Sequence, residues 1–151
     1  MKKVFITAII IASLSYVLSA QDSSISNPLK GYEISLNSCI GNANLQTVTV
    51  TFTLQHELPH QRFYVLSNNT KAYVNGNICT WRMTKMGGQK INYAVIPTKT
   101  AVSCEVTFRN VLPSSEALKT FFVNVTSANA DGGGNRQSGI IEMHDVAITW
   151  Q

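Results

Sequence analysis

His56-Glu57-Leu58-Pro59-His60 is the stretch of this sequence whose residue types and spacing most directly suggest a chemistry. On a helix, histidines at i and i+4 share one face and hold a zinc ion, while the glutamate between them acts as general base in hydrolysis. The letters fit, but the surroundings do not. Thr49 to Leu54, just before, alternates threonine with apolar residues, and Arg62 to Leu66, just after, again favours strand. Pro59 falls inside the would-be helical turn, where proline costs about 3 kcal/mol and drives the preceding residue out of the α region. In an extended chain the two imidazoles would stand about 13 Å apart, too far to share a metal bonded at about 2 Å. A catalytic zinc also needs a third protein ligand, and His144 is the only other histidine. The segment therefore reads as an inter-strand turn. His56 and His60 remain a weak alternative as ligands of a loop metal site.

Fainter signals stand beside blander readings. Trp81 follows Cys79 by two residues, so strand parity places both on one face together with Met83. Trp81, Tyr64 and Tyr73 are candidate ligand-binding residues, a stacking platform for a sugar ring or a peptide, although core packing is the simpler role. Glu142, His144 and Asp145 share one strand region and could meet a metal at a bulge. Gly132 to Gly134 lacks the Gly-Lys-Ser/Thr that would make it a phosphate loop. Asn68-Asn69-Thr70 and Asn124-Val125-Thr126 fit the N-glycosylation pattern, which matters only in a eukaryotic secretory host. The carboxylates are scattered, no Ser/His/Asp arrangement can be argued, and no catalytic residue or cofactor is assigned.

The elements that must position these residues are strands. Thr47 to Leu54 alternates without a fault, and Val102 to Arg109 and Phe121 to Thr126 do the same. Tyr32 to Ile40, with Ile34, Leu36 and Ile40 on one face, is less regular; Gln61 to Leu66 and Ala72 to Val74 are short. Ile78 to Met83 and Ile91 to Ile96 flank Met86-Gly87-Gly88-Gln89, a hairpin tip. Ile140 to Trp150 slips in its alternation near Met143 to Asp145, where a bulge is expected. Ser67 to Thr70 and Asn75-Gly76-Asn77 carry turn chemistry, and Asp131 to Gly139 is a polar loop. One short helical turn is expected near residues 114–119. About seven to nine short strands with frequent turns predict an all-β antiparallel sandwich.

The N-terminus sets the compartment. Lys2 and Lys3, the mostly apolar run Val4 to Leu18, and the small residues Ser19 and Ala20 make a secretory signal peptide over residues 1–20. The run is short for a membrane span, which needs about 20 apolar residues. Residues 21–31 read as a flexible leader and 32–151 as one domain. Of 12 Lys and Arg, two leave with the signal, so ten remain against eight Asp and Glu. With no basic cluster, nucleic acid is not an expected partner. Three cysteines allow at most one internal bridge. Cys39–Cys79 is the pair expected if one forms, with Cys104 a buried free thiol.

Leu36 to Val50, Val106 to Pro113 and the terminal Asp145-Val146-Ala147-Ile148-Thr149-Trp150 together resemble small exported immunoglobulin-like sandwich proteins of Gram-negative bacteria. The resemblance spans about Tyr32 to Gln151 and implies a periplasmic or surface accessory module without enzymatic activity. It carries over no functional residue. Cys39 and Trp81 are too far apart for the paired-cysteine and tryptophan pattern of true immunoglobulin domains. The expectation is an exported, non-catalytic binding or assembly module, secreted or periplasmic, with a protein or carbohydrate partner. Two alternatives stand beside it: a metal-dependent hydrolase using His56, Glu57 and His60, and an exported enzyme inhibitor inserting His56 to Gln61 or Asp131 to Gly139.

Overall fold

The structure, a computed structural model, describes residues 25–151; the expected signal peptide lies outside the described residues. The strands are β1 (Ile25–Ser26), β2 (Tyr32–Asn42), β3 (Thr47–His56), β4 (Gln61–Val74), β5 (Asn77–Met86), β6 (Tyr93–Ile96), β7 (Val102–Arg109), β8 (Ala117–Asn129), β9 (Gln137–Ala147) and β10 (Thr149–Trp150). The all-β expectation holds. The strands form one curled sheet in the order β1-β9-β8-β4-β5-β7-β3-β2-β10, with β6 beside β4. It is mixed rather than wholly antiparallel. After β9 the chain crosses to the far end of the strand order, where Thr149 and Trp150 run parallel to Ile40 and Gly41.

Perfect alternation becomes the dry face. Val48, Val50, Phe52 and Leu54 of β3 are fully buried, as are Cys104, Val106 and Phe108 of β7. So are Phe63 and Val65 of β4, Phe121, Val123 and Val125 of β8, and Ile141 and Met143 of β9. Burying each side chain of this size contributes roughly 1.5–3 kcal/mol, offset by the entropy of ordering the chain. The sheet curls until these faces meet. Phe108 lies 6.1 Å from Phe121, and Tyr32 lies 5.9 Å from Phe63, ring centre to ring centre, although neither pair sits on neighbouring strands. The limbs stay joined because β5 serves both: Asn77–Thr80 pair with β4 and Thr80–Met86 with β7.

Bulges account for the departures from the sequence reading. One between Leu36 and Ser38 resets the parity of β2, so Cys39 turns inward and is buried. Another between Trp81 and Met83 resets β5, so Cys79, Thr84 and Met86 are the buried positions instead of Cys79, Trp81 and Met83. Ser67 to Thr70 does not end a strand. It is an irregularity inside a single long β4, with Asn69 in the left-handed region and the Thr70 hydroxyl donating to the Leu66 carbonyl (2.6 Å). Near Asp145 the alternation slips as expected, with φ 49°, but the β8 partner slips with it, so the register is continuous.

The expected helical turn near 114–119 is not formed. Pro113 instead opens a tight turn closed by the Ser115 amide on the Leu112 carbonyl (2.9 Å), and β8 begins at Ala117. Proline's fixed φ suits the second position of such a turn. The expected flexible leader is tied down from Ile25 onward. Ile25 and Ser26 pair with Met143 and Glu142, and Leu29 is buried. The Met86–Gln89 tip forms, but the strand after it crosses to β4 rather than returning along β5.

Candidate functional site

The crossing of β6 to β4 builds the most distinctive surface. Outward-facing residues of β6, β4, β8 and β9 align in rows. Val95, Arg62 and Ala128 form one row, and Tyr93, Tyr64, Thr126 and Ser138 the next. Leu66, Asn124 and Ile140 form a third, with Ile91 alongside. Arg136, next to Gln137, extends the first row. Tyr64 and Tyr93 stack at 5.5 Å with their planes 22° apart. Tyr93, Val95, Ile91 and Ile140 are all exposed.

The loop after β8 raises one wall of this face. It closes on itself through the Gly133 amide on the Asn129 carbonyl (3.0 Å) and the Asn129 amide on the Gly134 carbonyl (2.8 Å). Between wall and sheet runs a groove of about 350 Å³, lined by Arg62, Tyr64, Leu66, Thr126, Ala128 and Arg136, with Asn129 and Gly133. No carboxylate lines it. The ion pairs among the described residues use Lys85, Lys99, Lys119 and His144, and leave both of these guanidiniums uncommitted. Such a surface can stack a flat or apolar group on tyrosine and hold an anion by paired hydrogen bonds.

Beneath the face a buried polar chain fixes the wall. Tyr32 Oη meets Ser127 Oγ at 2.6 Å, and Ser127 donates to Gln61 Oε1 at 3.0 Å. Gln61 Nε2 donates to the Pro59 carbonyl and to Asn129 Oδ1, both at 2.7 Å. Since Ser127 spends its proton on Gln61, Tyr32 is the donor to Ser127. Burial raises the Tyr32 pKa above its ordinary value.

The sequence singled out Tyr64, Tyr73 and Trp81 together; the structure separates them. Only Tyr64 lies in the groove. Tyr73 packs edge-on against Phe122 (5.8 Å) under the Lys71 ammonium. Trp81, at the β5 bulge, donates from Nε1 to Thr84 Oγ1 (3.0 Å) and packs on the core. Arg62, Tyr93 and Arg136 were missed. Nothing in their local sequence distinguishes them, and the register that gathers them spans three strand pairings.

His56 to His60 forms no helix. His56 ends β3, and residues 57–60 bend towards β4. The His56 ring is buried, with Nδ1 3.1 Å from the Leu58 carbonyl and Nε2 2.9 Å from the Ile96 carbonyl. With a backbone carbonyl oxygen about 3 Å from each ring nitrogen, the buried ring leaves no space for a metal ion at either. His60 Nδ1 accepts from the Thr98 amide (3.1 Å), and Glu57 lies 3.5 Å from Lys99 at the surface. The two candidate inhibitory loops meet here, the Ala130 amide bonding the His60 carbonyl (2.8 Å).

Glu142, His144 and Asp145 are likewise split. Asp145 pairs with Lys119 (3.0 Å), while His144 lies between Glu142 (2.8 Å) and Thr120 Oγ1 (3.0 Å). That chain mimics a hydroxyl–imidazole–carboxylate relay, but it stands half exposed on an open sheet face. The expected Cys39–Cys79 bridge is not formed, and all three thiols are free and buried. β7 and β3 separate β5 from β2, about 14 Å at ordinary strand spacing. A disulfide needs Cα atoms within about 7 Å.

No family model matches the chain, and no curated protein matches it in sequence. Among solved structures it is similar to the ASH / PapD-like domain of human CEP192 (PapD-like domain 7), at 11% identity and a TM-score of 0.48, covering 92% of this chain and 94% of that one.

Proposed function

We propose that this chain is an exported, non-catalytic binding module of immunoglobulin-like sandwich type that works through the outer face of β6, β4, β8 and β9. In this reading residues 1–20 are removed as a signal peptide and the mature chain acts in the periplasm or outside the cell. Its kin are the small exported sandwich proteins of Gram-negative bacteria that its sequence resembles. The observation that carries the reading is the solvent-facing Tyr64–Tyr93 stack beside two guanidiniums in a groove without a carboxylate. A face whose only task is solubility mixes both signs of charge and spreads its apolar groups. This one concentrates aromatic and aliphatic groups beside cations.

The test immobilises the processed chain and its Tyr64→Ala/Arg136→Ala variant side by side and offers both the same peptide and glycan arrays. Ligands held by the unsubstituted chain and lost by the variant, at equal melting temperature, are expected. Equal retention by both chains, or turnover of an arrayed compound, contradicts the reading.

A further inference from the structure

β6 is a strand edge left open beside that face. The Val65 amide donates to the Asn92 carbonyl at 2.8 Å. Antiparallel pairs alternate between bonded and non-bonded positions, so Phe63/Ala94 and Gln61/Ile96 are the next bonded pairs. Tyr93 and Val95 fall between them. Their amides and carbonyls point away from β4 and have no partner among the described residues. Their side chains stand on the outer face at 51% and 50% exposure.

The other edges are managed. β1, Pro28 and the two bonds between Lys30 and Gln137 cover β9. A bulge, Glu33 and β10 blunt β2. A bulge with Arg82 and Lys85 blunts the free side of β5. Bulges, charges, covering segments, prolines and shortness are the ordinary defences against strand addition; Tyr93–Ile96 is short and ends at Pro97, but it carries no bulge, charge or covering segment.

Charge selects the occupant. Arg62 lies opposite Val95, Arg136 extends the same row, and Lys90 precedes the strand. No carboxylate lines the groove. We infer that β6 receives an extended acidic segment of a partner protein as an added strand. Its backbone pairs with Tyr93 and Val95, alternate side chains lie against the tyrosine stack, and its carboxylates reach across β6 to Arg62. This rests on the binding-face reading and deepens it by naming the partner.

The test uses a peptide of about ten residues alternating Glu and Val, long enough for strand addition. Beside it stand its Lys/Val counterpart, a version N-methylated at alternate amides, and an oligogalacturonate of equal charge. Amide exchange and shifts are followed in the isotope-labelled chain. The Glu/Val peptide should bind and slow exchange at Tyr93 and Val95 about tenfold or more, and the N-methylated version should lose about tenfold in affinity. Val95→Pro removes an outward amide that the β4 ladder does not use, so it should weaken binding about tenfold while the β4 amide bonds stay protected. Arg62→Glu should reverse the preference towards the Lys/Val peptide.

Binding that shifts Arg62, Tyr64 and Arg136 but leaves Tyr93 and Val95 exchange unchanged overturns strand addition and leaves the binding face standing. So does a preference for the oligogalacturonate that Val95→Pro does not touch. If no probe shifts this face, both inferences fall.

Discussion

Trp150 shows how closely one residue can be fixed by another. Its ring lies over Gly41 so tightly that an added β-carbon would land inside the indole, and Nε1 donates to the Ser115 carbonyl (2.7 Å). Gly41→Ala should therefore displace the tryptophan and cost about 1–3 kcal/mol, read by denaturant unfolding with Trp fluorescence. The cysteines make a second case. Burial pushes the Cys39 thiol up to about 12 and also raises Cys79 and Cys104, with Glu105 adding to the rise at Cys104. These thiols stay protonated in the folded chain while those of the unfolded chain ionise near 9.0. Above that pH the unfolded state binds fewer protons, so stability should fall as pH rises from 9.0 towards about 12. Unfolding curves across that range check the sign. Ellman's reagent should titrate no thiol in the native protein and all three in denaturant, whereas a bridge would leave one.

At the scale of elements, bulges decide where the sequence could be read. Strands with unbroken alternation, β3 and β7 above all, were legible because period two is a local property. β2, β4 and β5 were not, because each contains a register shift that local alternation does not announce. The shifts turned Cys39 inward, moved Met83 off the core stripe in favour of Thr84 and Met86, and fused two expected strands into β4. The candidate face was still less legible. Tyr64 stood out as an aromatic in a short strand, but its partner Tyr93 and the arginines joined it only through the crossing of β6 to β4, a non-local pairing. The β4 irregularity is itself testable. The Thr70 hydroxyl donates to the Leu66 carbonyl and accepts the Asn124 amide (3.0 Å). Thr70→Val keeps the shape and orphans both groups, so it should cost about 2–3 kcal/mol in denaturant unfolding.

At the scale of the whole molecule, the sheet manages most of its edges and leaves β6 open beside a cationic face. The segment before β2 belongs to that management: Ile25 is partly buried on the core and Leu29 fully. A chain beginning at Gly31 should lose at least about 2 kcal/mol of burial and self-associate through the bared β9 edge, read by thermal melting and light scattering. The HExxH letters never become a site, because Pro59 and the β3 strand deny them a helix and two carbonyls hold the His56 ring. What the molecule offers instead is the tyrosine–arginine groove. The most direct measurement is an amide shift map of the isotope-labelled chain with a ligand taken from the arrays. Shifts should gather on Arg62 to Leu66, Tyr93 to Ile96 and Thr126 to Arg136. Shifts confined to Glu57 to His60, or to Thr120, Glu142 and His144, would contradict the assignment of this face.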